Sequence, residues 1–222
     1  MDNFSHEFKT PIVSIKGFAE ELKHDDLTRE QRNEYLDIII SESSRLAALA
    51  TNVLNLSRVE KQTILNNRAR FDLTEQLRRC VLLFESKWEQ RRLNLSVELD
   101  EVSLEGDEEL LSQVWLNLID NAVKFTPEGG SVEIRLQKLE NVARFQIRDD
   151  GYGIPEEMQK HIFDKFYQGD ASRAIHGNGL GLSISKRVVT LHGGQISCQS
   201  AEGAGATFIV DLPLSSAEKR AG

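Results

Sequence analysis

Near the start of the chain, Ser5-His6-Glu7-Phe8-Lys9-Thr10-Pro11 sets an imidazole beside a carboxylate and one helical turn ahead of a hydroxyl. A neutral imidazole is nucleophilic near pH 7 without prior deprotonation, since its free pKa is about 6.5. His6 therefore suits covalent acceptance of a phosphoryl group. Far downstream, Asn117, Asn121 and Lys124 are spaced so that one helix projects all three from one face. Carboxamide oxygens suit Mg²⁺, which also takes phosphate oxygens, and a lysine supplies charge to phosphates. A pair of capping or inter-helix asparagines would have the same spacing.

Two glycine-bearing segments follow. In Asp149-Asp150-Gly151-Tyr152-Gly153-Ile154-Pro155, a carboxylate at a strand end can accept from an exocyclic amine while the glycines let backbone approach a ligand. An ordinary Asp-Gly turn has the same composition. In Gly177-Asn178-Gly179-Leu180-Gly181-Leu182, alternate glycines precede an apolar helix pattern and turn free N–H groups and a positive helix end toward phosphate. Between them, Phe163 and Phe166 precede a small, polar stretch from Gly169 to His176, either as core residues or as the tether of a nucleotide lid.

Positioning these groups requires two kinds of element. Phe4, Phe8, Pro11, Ile15, Phe18 and Leu22 form one helical seam, on which His6 falls off the stripe. A polar break follows, with Thr28 as a cap ahead of Gln31. A second seam then runs through Tyr35, Ile39, Glu42, Leu46, Leu49, Val53 and Leu56. Ile38, Ile40 and Ala47 widen it beyond one partner's reach, so the hairpin closes either by dimerising into a four-helix bundle, the expected outcome, or by packing on the rest of the chain. Pro11 lacks an N–H and is expected to kink the first helix.

Past a linker at Asn66-Asn67-Arg68 the texture changes to mixed strands and helices. Strands are expected at 71–73, 93–99, 131–139, 143–148, 195–200 and 206–212. Helices are expected at 74–90, at 107–125 with an acidic first turn, and after the second glycine cluster. The fold class is thus an α-helical hairpin forming a dimeric four-helix bundle, followed by an α+β two-layer sandwich over about residues 68–215, with domains at 1–66 and 67–222 and a frayed end after 215.

Composition narrows the partners. With 27 Lys+Arg against 35 Asp+Glu the net charge of −8 opposes binding to nucleic acid or anionic membrane. No apolar run is long enough to cross a bilayer. Cys80 and Cys198 are read as buried thiols, and His6, His24, His161, His176 and His192 lack the spacing of a transition-metal site, so any metal should be a hard one.

The order of these segments resembles the sensor histidine kinases of two-component systems, whose ATP domain shares the gyrase, chaperone and mismatch-repair ATPase fold. Five family boxes occur in order over residues 1–214: the H box at His6 to Pro11, the N box at Asn117 to Lys124, the first G box at Asp149 to Gly153, the F box at Phe163 to Phe166, and the second G box at Gly177 to Gly181. The resemblance implies a protein kinase that uses ATP and Mg²⁺ to phosphorylate its own His6. It implies passage of the phosphoryl group to an aspartate on the receiver domain of a response regulator, and a phosphatase activity as well. Glu7 would take a proton from the His6 ring and Thr10 would orient water for dephosphorylation. Asn117 and Asn121 would hold the metal, Lys124 would face phosphates and Asp149 would bind the adenine amine. Phe125, Gly151, Gly153, Ile154, Phe166, Gly177, Gly179, Leu180, Gly181 and Leu182 would complete the nucleotide site.

One departure is Gln168, where many members carry arginine after the aromatic pair; Arg173 is expected to supply that cation. A gyrase- or chaperone-type ATPase would need no His6-Glu7 pair. A dimeric scaffold without autophosphorylation, retaining at most phosphatase action, stays open because of Gln168. Only five residues precede His6, so a longer, membrane-anchored parent with this portion in the cytoplasm is expected.

Overall fold

The structure, a computed structural model, describes residues 2–65, 67–168 and 179–214, with side chains from Glu7 onward. The chain divides into two compact units, Met1–Arg58 and Val59–Gly222.

The first unit is a helical hairpin. Helix α1 (Asp2–Glu21) runs unbroken through Pro11, and α2 (Arg29–Lys61) follows a short loop. The expected cap forms in reciprocal fashion: the Gln31 N–H donates to Thr28 Oγ1 (3.2 Å) and the Thr28 N–H to Gln31 Oε1 (3.0 Å). The seams meet where the rings of Phe18 and Tyr35 lie 5.2 Å apart. A single hairpin cannot cover all its apolar surface, and Ile12, Val13, Leu36, Ile40 and Leu54 stay exposed, Ile40 by 61% and Leu54 by 71%.

The second unit is a sandwich. Its five-stranded mixed sheet has the order β2-β4-β5-β7-β6, from β2 (Asn94–Leu99), β4 (Ser131–Lys138), β5 (Val142–Asp149), β6 (Gln195–Ser200) and β7 (Ala206–Pro213). Only the β2–β4 pairing is parallel. The expected β4–β5 hairpin pairs in register from Val132↔Asp149 to Lys138↔Ala143. Alternation along the central strands buries Val132, Ile134, Leu136, Ala143, Phe145, Ile147, Phe208, Val210 and Leu212 on one face. The other face carries polar residues such as the cross-strand pair Arg144–Asp211 (2.7 Å). Helix α5 (Glu108–Phe125) packs on the apolar face, the ring of its fully buried Trp115 tilted against Phe145 with centroids 4.8 Å apart and its indole N–H donating to Gln76 Oε1. After the short α6 (Glu156–Gln159), helix α7 (Gly181–Leu191) packs beside α5.

The structure departs from the sequence-based expectations in four places. The single helix expected over 74–90 is two, α3 (Leu73–Leu82) and α4 (Glu85–Gln90). The break lies at Leu83-Phe84, where Leu82 and Leu83 are exposed, although Leu77, Val81, Phe84 and Trp88 keep one buried stripe across it, so apolar periodicity carries no sign of the interruption. The first strand is β1 (Ala69–Asp72), with Leu73 opening α3 under an Asp72 N-cap. Its antiparallel partner β3 (Ser103–Gly106) was too short to read from periodicity, and the pair forms a separate two-stranded sheet. On β2, Leu95 and Val97 are exposed, since the strand lies at a sheet edge. Cys80 is buried as expected, whereas Cys198 is only half-buried, with burial still pushing its thiol up to about 12.

Candidate functional site

In the sandwich, α5 is fixed at both ends. Asp107 caps its start, Oδ1 accepting from the Leu110 N–H at 3.1 Å, while the Asp107 N–H donates to His192 Nε2 at 2.9 Å. At its end the Arg91 guanidinium donates to the carbonyls of Val123, Lys124 (3.1 Å) and Thr126 (2.8 Å), supplying partners for groups the helix leaves unpaired. The Phe125 carbonyl then lies so close to Gly151 that a Cβ there would be 2.3 Å from it. The N-box helix and the first G box are thereby in direct backbone contact.

The two boxes that bear on phosphate also meet. Asn117 Nδ2–H donates to Ser185 Oγ at 3.0 Å, and Ser185 is buried on α7. A Cβ on Gly181 would lie 2.0 Å from Asn117 Oδ1, so only glycine fits the first residue of α7 beside that carboxamide. Asn121, one turn on, is half-buried. Lys124 Nζ lies 2.5 Å from Asp120 Oδ2. No cluster of three or more His, Cys, Asp or Glu side chains suited to a metal occurs among the described residues. A hard cation here would rely on carboxamide oxygens, and the space left by Gly181 at Asn117 Oδ1 fits that role.

Asp149 ends β5 almost fully buried. Its Oδ1 accepts from the N–H groups of Gly151 (3.0 Å) and Ala206 (3.3 Å). Burial pushes its carboxyl above the ordinary range, backbone hydrogen bonds from Gly151, Ala206 and its own N–H opposing and the charge of Asp150 adding to the rise. The following loop is pinned to the β6–β7 turn. Gly153 has φ +69° and would place a Cβ 1.9 Å from the Ala201 carbonyl, while the Ile154 N–H donates to Ser200 Oγ at 2.8 Å.

Phe166 ends the F box at φ +60°, a conformation costly for a bulky residue. Its N–H donates to the Gly179 carbonyl (2.9 Å), which ties the F box to the second G box. Leu180 is fully buried and Leu182 half-buried. Arg173 and Gly177 lie outside the described residues.

In the hairpin, α1 includes His6, whose side chain lies outside the described residues. Glu7 Oε2 is 3.3 Å from Arg45 Nη2, and Nη1 of the same guanidinium is 3.7 Å from Glu42. Thr10 is exposed. Sequence reasoning brought out Asn117 but missed Ser185, which is four residues beyond Gly181 on one face of α7. It likewise missed Arg45, Arg91, Asp120 and Ser200, whose roles depend on residues remote in sequence or on helix ends.

A helical hairpin whose sequence carries a His-Glu pair, joined to a sandwich in which Asn117 meets Gly181 and a buried aspartate meets Gly151, defines a class that couples a phospho-acceptor to an ATP-binding domain. Residues 1–62 match the His Kinase A (phospho-acceptor) domain, and residues 106–216 match the histidine kinase-, DNA gyrase B- and HSP90-like ATPase family. The chain belongs to the sensor histidine kinases.

It is 38% identical over 220 residues to the sensor histidine kinase AruS of Pseudomonas aeruginosa, covering 95% of this chain and 22% of that protein. Against the circadian input-output histidine kinase CikA of Thermosynechococcus vestitus the identity is 36% over 218 residues, covering 94% of this chain and 30% of that protein. The chain thus spans under a third of these relatives. A crystal structure of histidine kinase ThkA in complex with response regulator protein TrrA matches with TM-score 0.80 and 30% identity, over 96% of this chain and 60% of that one. No described helix is long and apolar enough to cross a membrane.

Proposed function

We propose that this chain is the catalytic core of a protein-histidine kinase that phosphorylates itself on His6 with ATP and passes the phosphoryl group to an aspartate of a response regulator. The observation that carries this reading is the meeting of Asn117 with Gly181 and Ser185, in a chain that also holds a buried Asp149 carboxylate and bears His6-Glu7. The ThkA–TrrA complex, a relative bound to a response regulator, supports the choice of partner. The functional boundary is placed at residues 66/67, and further phosphatase action on the response regulator through Thr10 is part of the proposal.

Phosphoryl transfer depends on positioning and on neutralising charge. Asp149 accepts the adenine amine through Oδ2, its other oxygen being occupied by backbone. Gly151, Gly153 and Ile154 hold the base-side loop, while Phe125, Phe166, Leu180 and Leu182 enclose the nucleotide. The N-terminal N–H groups of α7, with Gly177, Gly179 and Gly181, receive phosphate oxygens. Lys124 faces the phosphates, and Arg173 supplies the cation that Gln168 does not. Asn117 and Asn121 would hold Mg²⁺, which would neutralise the phosphate charge. At the acceptor, Glu7 takes the proton from the ring nitrogen opposite the attacking one, leaving that nitrogen nucleophilic. Ile12, Val13, Leu36, Ile40 and Leu54, uncovered in one hairpin, support closure as a homodimer. The core works in the cytoplasm, in a parent protein anchored in the cell membrane.

The test is transfer. Labelled through γ-labelled ATP and Mg²⁺, the chain is expected to give its label to an added receiver domain and to retain it when the receiver's acceptor aspartate is replaced by asparagine. Label lost equally to both receivers would contradict transfer to that aspartate.

A further inference from the structure

On α5, one carboxylate lies between two ammonium groups. Asp120 Oδ2 is 2.5 Å from Lys124 Nζ, four residues on, and Asp120 Oδ1 accepts from Lys87 Nζ of α4 at 2.9 Å. Lys87 also sits over the Phe84 ring, 4.8 Å from its centroid, which fixes its approach from α4. Asp120 has a side-chain exposure of 26%, against 38% for Lys124 and 54% for Lys87.

An uncompensated carboxylate at this place would oppose a triphosphate twice. It would repel the phosphates, and it would keep Lys124 for itself. A second cation removes both objections only if it comes from an element other than α5's phosphate-facing side, and Lys87 does. We propose that Asp120 and Lys87 form a holding pair for Lys124: Asp120 receives the ammonium while phosphates are absent, and Lys87 balances Asp120 when Lys124 turns to them. Lys87 and Asp120 are positioning residues, and the inference rests on the reading that Lys124 faces the phosphates.

The test compares ATP with adenosine, both titrated calorimetrically in Mg²⁺ against the full chain. Lys87→Met should weaken ATP roughly fivefold and leave adenosine unchanged, because only the triphosphate meets the unbalanced carboxylate. Lys87→Arg should retain wild-type affinity. Lys87→Met combined with Asp120→Asn should restore ATP binding, an outcome that simple loss of packing would not give. An unchanged ATP-to-adenosine ratio in Lys87→Met, or no recovery in the double variant, overturns the inference. The control is Lys124→Met. If it too leaves the ratio unchanged, the reading of Lys124 fails and takes the inference with it; if it weakens ATP while Lys87→Met does not, the inference alone fails.

Discussion

Asp149→Asn is expected to leave the chain folded and to lower its ATP affinity by about 10- to 100-fold, the range for losing a hydrogen bond to a charged group. The substituted amide can keep its oxygen on the Gly151 and Ala206 N–H groups, so the local backbone is preserved. What changes is the other atom, which becomes an NH₂ donor facing the adenine amine, itself a donor. The fold raises the pKa of Asp149, chiefly by burial, so the ionised form costs the folded state stability at neutral pH and the protonated form recovers it as pH falls. Asparagine removes that charge, and the melting temperature should hold or rise while binding falls. In the wild type, the same shift predicts that ATP affinity declines on acidification at a higher pH than an ordinary aspartate would allow. Titration of ATP at stepped pH, with thermal melts of both proteins, checks each part. Equal nucleotide affinity in wild type and variant would remove Asp149 from the site.

The second large effect is expected from one methyl group. Gly181→Ala places a Cβ 2.0 Å from Asn117 Oδ1, and the carboxamide must move. Doing so breaks its 3.0 Å bond to Ser185 and shifts the carboxamide oxygen in the part of the site assigned to metal and phosphate. Misplacement on the scale of an ångström costs about 100-fold in rate, and autophosphorylation should fall by that order. Adenosine binding, which depends on Asp149, should change far less. A steady-state phosphorylation assay beside an adenosine titration separates the two, and an alanine variant with wild-type rate would show that Asn117 does not need its present position.

How much of this was legible beforehand depended on the range of the forces involved. The hairpin, the Thr28–Gln31 cap, α5 with its acidic start and the β4–β5 hairpin follow from local periodicity and turn chemistry, and all form as read. The break after Leu82 and the strand β3 do not: both depend on which apolar side chains the remote core accepts. Likewise, the spacing of Asn117, Asn121 and Lys124 is written in one helix, and the structure brings Asn117 to Gly181 of the glycine cluster. Ser185 as the partner of Asn117 and Arg91 as the cap of α5 required the fold, since each partner lies more than 30 positions away. Neither contact of Asp120 was read from the sequence: its i,i+4 spacing to Lys124 is shared by many exposed pairs, and Lys87 lies 33 positions away.

The central claim is that His6 is the covalent acceptor of the ATP γ-phosphoryl group. The most direct measurement incubates the chain and its His6→Gln variant with γ-labelled ATP and Mg²⁺, follows protein-bound label through acid and alkali, and titrates ATP against both. The account predicts label in the wild type that acid removes and alkali spares, none in His6→Gln, and equal ATP affinity in the two. Acid-labile label persisting in His6→Gln would contradict it.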